Sequence, residues 1–145
     1  MRHLCDSNVF LALAVGQHAH HPRASAWFSA LGESDTAEFC RATGISFLRL
    51  LTQKVALDYV PLTNRQAWDT FDLLMKDDAT GFAVEPEGLD EAWRGITDVE
   101  TPSPKVWMDA YLASFAITAR MRLVTMDKDF KNYERHGLDL LLLSE

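Results

Sequence analysis

Cysteine is scarce in this 145-residue chain, with only Cys5 and Cys40 present. Both lie in apolar, strand-like surroundings and read as buried free thiols, with a disulfide or a shared metal as the lesser alternative. Long hydrophobic runs are also missing. The longest, Val9 to Val15, has seven residues, far short of the roughly 20 that a membrane span needs. No basic start leads into an apolar run and a small-residue cleavage site, so no secretory signal is visible. These absences point to a cytoplasmic protein with no membrane attachment. Positive charge is short as well. Against 21 Asp and Glu stand 14 Lys and Arg, for a formal net charge of −7. That argues against holding nucleic acid on a broad basic face. It leaves room for an enzyme that meets phosphates through metal ions held by carboxylates, and for a basic partner segment. A solvated acidic surface is the plainer account.

What the chain does have is enough apolar material, 48%, to fill the core of one ordinary domain spanning 1–145. His3-Leu4-Cys5 is a short apolar stretch, and any of Asp6, Ser7 and Asn8 can cap the helix expected from Val9 to Val15. Pro22 suits a helix first turn, with Ala24, Trp27, Phe28 and Leu31 as its apolar face. A second strand is expected at Ala37 to Ala42, then a helix from Thr43 through Thr52. Tyr59 to Leu62 reads as extended. Thr63 with Gln66 is a capping box opening a helix whose inner side holds Ala67, Trp68, Phe71, Leu74 and Met75. A third strand is expected at Phe82 to Val84, and a short helix at Leu89 to Gly95. Thr101 to Pro104 is an extended lead-in, since residues before proline avoid the helical region. Val106 to Arg120 is apolar almost all round, so it should be buried on more than one side. Strands at Leu123 to Met126 and Leu138 to Leu143 complete the pattern. Strands alternating with helices imply an α/β fold with a mostly parallel sheet covered on both faces.

Acids recur where such a fold places its ligands, beyond the carboxyl ends of strands. Asp6 follows the first strand. Asp127 follows Leu123 to Met126, with Asp129 two residues on as a weaker, alternative acid. Asp109 falls in the first turn of the most apolar helix. Each has an ordinary explanation: an N-cap, a turn acid, a carboxylate favoured by the helix dipole. Together they suggest one crevice. Carboxylates gathered in one place repel each other unless a cation neutralises them. Magnesium or manganese suits oxygen ligands and keeps several waters, and such an ion activates a water and offsets charge on a phosphoryl oxygen. Ser7, Asn8 and Thr125 are candidates to hydrogen-bond these acids, with capping or plain strand packing as the alternative.

The chain resembles PIN-domain ribonucleases of the VapC toxin type over nearly its whole length. The resemblance rests on Asp6-Ser7-Asn8 before an apolar helix, on Asp109 to Ala116 (DAYLASFA), and on Leu123 to Phe130 (LVTMDKDF). His18 to Pro22 and Thr43 to Thr52 resemble one subgroup of these toxins. The resemblance implies a PIN-like three-layer α/β/α sandwich and metal-dependent cleavage of RNA at Asp6, Asp109 and Asp127, with Mg2+ or Mn2+. It also implies a cognate antitoxin protein as partner and a homodimer. One position departs. Many family members carry a glutamate where this chain has Arg49; the plain reading is that this subgroup uses fewer acids, and the sharper one is that Arg49 pairs with Asp109 or Asp6 without metal, or receives a substrate phosphate through its planar fork of donors. Two rival readings remain. One is a catalytically weak or inactive PIN-like module that mainly binds an antitoxin. The other is an aspartate-dependent phosphatase, which commonly wants a second Asp two residues after the first, where Asn8 stands.

His18, His20 and His21 have metal-like spacing, but nothing completes the set, so a role at the start of the following helix is the preferred reading. Lys105, Arg120, Arg122, Lys128, Lys131 and Arg135 gather around the acidic motifs in sequence and could guide an RNA backbone; a solvated face is the simpler account for any one of them. Trp27, Trp68, Trp93 and Trp107 sit mostly at helical core spacings and read as core or dimer interface.

Overall fold

A computed structural model of the chain describes residues 1–54 and 60–144. Five strands form one sheet: β1 (Arg2–Cys5), β2 (Thr36–Phe39), β3 (Thr80–Phe82), β4 (Arg122–Thr125) and β5 (Leu140–Leu142). Their order is β3-β2-β1-β4-β5, and every pairing is parallel. Six α-helices connect them: α1 (Ser7–Ala14), α2 (His21–Ser29), α3 (Arg41–Thr52), α4 (Asn64–Met75), α5 (Leu89–Thr97) and α6 (Val106–Ala119). A 3-10 segment, Lys128–His136, joins β4 to β5.

Two cores result, one on each face of the sheet, and the two-residue period of the strands sorts side chains between them. Cys5 and Val124 face α1, α3 and α4, where Val9, Phe10, Phe47, Leu51 and Ala67 are buried. Leu4 and Leu123, one residue earlier in each strand, face α5 and α6, where Leu89, Leu112, Phe115 and Ala116 are buried. Phe10 stacks on Phe39 with ring centroids 3.6 Å apart and 10° between planes, and Phe47 meets both rings. The chain is thus an α/β/α sandwich around a wholly parallel sheet.

Element borders differ from expectation for identifiable reasons. The second strand stops at Phe39, because Cys40 begins a cap: its N–H donates to the Thr43 hydroxyl at 2.9 Å, and α3 starts two residues early. The third strand lies at Thr80–Phe82, two residues before its expected start; Thr80, Gly81 and Phe82 register with Ala37, Glu38 and Phe39. The Thr63–Gln66 box forms as read. Of the extended stretch expected at Tyr59 to Leu62, Tyr59 lies outside the described residues, and 60–62 form no strand. His21 starts α2, with Pro22 in its first turn, and the His21 imidazole Nδ1 lies 2.7 Å from the Ala12 carbonyl oxygen, tying α2 to α1. Trp68 and Trp107 are not core residues: they are 50% and 55% exposed. Met108 is also exposed, so the start of α6 is open on the side that includes Trp107 and Met108.

Candidate active site

The sheet order reverses at β1. Connections step one way to β2 and β3, then return across to β4 and β5 on the far side. Crossovers on opposite faces leave a crevice beyond the carboxyl ends of β1 and β4, which is where open α/β sheets bind ligands. Asp6 is the residue after β1, and Asp127 lies two residues after β4.

Asp6 caps α1. Its Oδ1 accepts the Ser7 N–H at 2.7 Å, and its Oδ2 accepts the Thr125 hydroxyl at 2.8 Å and the Asn8 side-chain amide at 3.3 Å. Asp6 N–H in turn donates to the Val124 carbonyl at 2.9 Å, so the β1 corner is laid against β4. Thr125 is fully buried, and its oxygen also accepts the Asp127 N–H at 3.1 Å. One hydroxyl therefore sets the relation between the Asp6 carboxylate and the Asp127 backbone. Asn8 Oδ1 accepts the Met126 N–H at 3.3 Å, a second link between the two corners. Asp127 caps the 3-10 segment, accepting the Asp129 N–H at 2.9 Å, and Asp129 itself is exposed.

Asp109 reaches the same place from the first turn of α6. Burial raises its carboxyl, and the charges of Asp127, Asp6 and Asp129, in that order of strength, push it further, to about 6. No hydrogen bond from the described residues offsets this, in contrast to Asp6. The Asp6 carboxyl is also raised by burial, with the Thr125 and Ser7 hydrogen bonds pulling it partly back and the Asp127 charge adding to the rise. Asp109 thus feels three acids from two other stretches of chain, and Asp6 feels Asp127.

The remaining sequence candidates divide. Ser7, Asn8 and Thr125 all touch the cluster. Arg49 does not pair with Asp6 or Asp109: it is exposed and lines a shallow cleft between α3 and α4 with Thr52, Asn64 and Trp68. It stands more than two turns into α3, whereas the acids gather beyond the carboxyl ends of β1 and β4. Among the candidate cations, Arg120 and Arg122 lie at the opposite end of β4, where Arg122 binds Asp139 at 3.0 Å and Arg120 caps α6 with a left-handed backbone. Lys105, Lys128 and Arg135 belong to the segments that carry Asp109 and Asp129. Two residues near the acids carried no distinct signal in the sequence. Ser46 on α3 accepts the Ser7 hydroxyl at 3.2 Å, and the Tyr133 phenol is raised first by its burial and then by the Asp109 charge. Only the packing of α3 and the 3-10 segment against the crevice singles them out.

The donor set suits a hard divalent cation, since every acid offers carboxylate oxygen. Among the described residues no three acid, histidine or cysteine side chains close into a ready cage.

Comparison with known proteins agrees with this architecture. The model of the PIN domain family matches residues 4–136. The chain belongs to the PIN domain family. It is 44% identical to Ribonuclease VapC41 of Mycobacterium tuberculosis, over 98% of this chain and 99% of that one. Ribonuclease VapC44 of the same organism is 31% identical, over 88% and 87%. Among solved structures, VapBC-1 from nontypeable Haemophilus influenzae superposes with a TM-score of 0.72 over all of both chains at 13% identity. Mycobacterium tuberculosis VapC20, described as a Sarcin-Ricin loop cleaving toxin, gives 0.65 over 90% of this chain and 93% of that one, at 14% identity.

Proposed function

We propose that this protein is a metal-dependent endoribonuclease, the toxin of a type II toxin–antitoxin module, hydrolysing RNA phosphodiester bonds in the cytoplasm. The observation that carries the reading is the coupled acid cluster at the switch point of the sheet, with Asp109 raised to about 6 by burial and by its neighbours. Such a cluster is costly until a cation enters it. The relatives named as ribonucleases support the nuclease class. The structural likeness to VapBC complexes supports an antitoxin partner, and a homodimer is proposed on the family resemblance.

Asp6, Asp109 and Asp127 would hold Mg2+ or Mn2+, with Asp129 as a further oxygen at the rim. A bound divalent ion supplies water activation and offsets charge on the phosphoryl oxygen. The chain's own contribution is positioning. Thr125 and Asn8 hold Asp6 Oδ2, Ser7 N–H holds Oδ1, and Thr125 also receives the Asp127 N–H. Asp109 must lose its proton to serve, so metal affinity should fall as pH drops below about 6.

Arg49, in place of a family acid, favours the inactive, partner-binding alternative, whereas Asn8, engaged with Asp6 and Met126, leaves the phosphatase reading without its second acid. Purified protein freed of partner is incubated with a mixed RNA pool and magnesium, manganese or EDTA, beside Asp6→Asn and Asp109→Asn. Metal-dependent cuts lost in both variants are expected. Folded protein that cuts nothing with either ion would replace the nuclease by the partner-binding module.

A further inference from the structure

Next to the acid crevice lies an open cleft of about 560 Å³ that the carboxylate mechanism does not use. Small-molecule sites commonly measure roughly 300–1,000 Å³. The cleft is walled by the first turns of α3, through Arg41 and Ile45, and the first turns of α6, through Trp107, Met108 and Tyr111, with Glu85 at its rim. Both helices also serve the acids. Asp109 follows Met108 on α6, and Ser46 follows Ile45 on α3 and meets the Ser7 hydroxyl beside Asp6. The cleft and the proposed reaction centre are thus built on the same two helices, although none of Asp6, Asp109, Asp127 and Asp129 lines the cleft.

Its walls are braced but uncovered. Trp93 donates its indole N–H to the Trp107 carbonyl at 3.0 Å and meets the Trp107 and Tyr111 rings edge-on, at 6.3 and 5.3 Å between centroids. Trp107 nevertheless stays 55% exposed, Ile45 59% and Met108 51%. The rim holds two polar groups of opposite kind. Arg41 lies over the Phe82 ring at 4.7 Å, and its five donors make no ion pair among the described residues. Glu85 accepts the Tyr111 hydroxyl through Oε1 at 2.7 Å, which leaves Oε2 open.

We infer that this cleft seats one unstacked RNA base beside the scissile phosphate and contributes to the choice of cleavage site, an inference that rests on the nuclease reading. Single-stranded RNA is read by splaying bases onto aromatic and guanidinium planes and by hydrogen-bonding their edges. An aromatic wall with a donor and an acceptor at its rim matches a base, which has a flat face and mixed polar edges. An apolar side chain from a protein partner would bury Arg41 and Glu85 without giving either a hydrogen bond.

The test uses whole protein in EDTA, so that nothing is cut, and labelled single-stranded hexamers of A, C, G and U followed by fluorescence anisotropy. Wild type should prefer one or two of the four. Trp107→Ala should weaken the preferred hexamer about 5- to 100-fold, the range seen when a stacking aromatic is removed, and flatten the preference. Trp107→Phe should keep most of it. Glu85→Gln should change the ranking of the bases. Thermal melting within a few degrees of wild type certifies the fold of each variant. Equal binding of all four hexamers by wild type, or unchanged binding by Trp107→Ala, overturns the inference. So does a Trp107→Ala protein that keeps its RNA affinity but no longer co-purifies with a coexpressed partner, which assigns the cleft to that partner. The mixed-pool cleavage assay separates the two ideas: cuts with unaltered hexamer binding sink the base cleft and keep the nuclease. Base-selective binding without cuts retains a base-binding cleft but sinks its role in cleavage-site choice along with the nuclease.

Discussion

Replacing Asp109 with Asn should make the metal-free protein more stable at neutral pH. The carboxyl titrates near 3.8 when free and near 6 in the fold, raised by burial and by Asp127, Asp6 and Asp129. Between about pH 4 and about pH 6 the folded state holds a proton that the unfolded state has lost. Stability from this group is therefore intact below about pH 4, declines as pH rises through the window, and is lost above about pH 6. The displacement from 3.8 to about 6 sets a ceiling of about 3 kcal/mol at about 1.4 kcal/mol per pH unit. Asp109 is partly exposed, and solvent screening at such a site reduces the effect to about 1 kcal/mol. Asn keeps the shape and removes the charge. In EDTA at pH 8, Asp109→Asn should gain about 1 kcal/mol in urea unfolding, a rise of about 3 °C in Tm for a domain of this size. At pH 4 the two proteins should coincide. Magnesium should then raise wild type more than the variant, because the ligand binds the folded state alone. A variant no more stable at pH 8 than wild type, or one with the same advantage at both pH values, would refute the charge-cluster argument.

Three other outcomes follow from the same geometry. Thr125→Val removes a buried hydroxyl that joins Asp6 to the Asp127 backbone; it should cost about 1–3 kcal/mol in urea unfolding and shift the pH profile of cleavage upward, since Asp6 loses a donor that holds its carboxyl down. Arg49→Ala should leave stability within about 0.5 kcal/mol and leave metal affinity and cleavage unchanged, measured by titration calorimetry and gel assay; a large loss of cleavage would return Arg49 to the substrate path. For Glu38, burial pushes the carboxyl up, but hydrogen bonds from Arg2 and Thr36 outweigh it and hold it below its ordinary 4.5. Its contribution is present above pH 4.5 and fades as pH falls through the lower folded value, so Glu38→Gln should cost stability at pH 7 and progressively less toward pH 3.

The sequence by itself determined the class of fold and made Asp6, Asp109 and Asp127 candidates for one site. Alternation of apolar stretches with helical periods is a local property, and a parallel sheet covered on both faces follows from it. Asp6 and Asp127 were legible as candidates because each stands just past an apolar strand, and Asp109 because it opens the most apolar helix of the chain, a place that the helix dipole alone also favours for an acid. Other features belonged to the tertiary structure. Strand order decided that the ends of β1 and β4 are neighbours at the reversal of the sheet, which no local pattern encodes. Side-chain reach decided that Thr125, 119 residues from Asp6, holds its carboxylate, and that Ser46 meets Ser7. Arg49 aligned with a family acid in sequence, yet the fold places it beside α4 with no acid partner among the described residues. Trp107 has the spacing of a core residue, but burial depends on whether another element covers that side of the helix. Near the start of α6 the Trp107 side stays open, and only the folded chain shows that it forms a cleft with the start of α3.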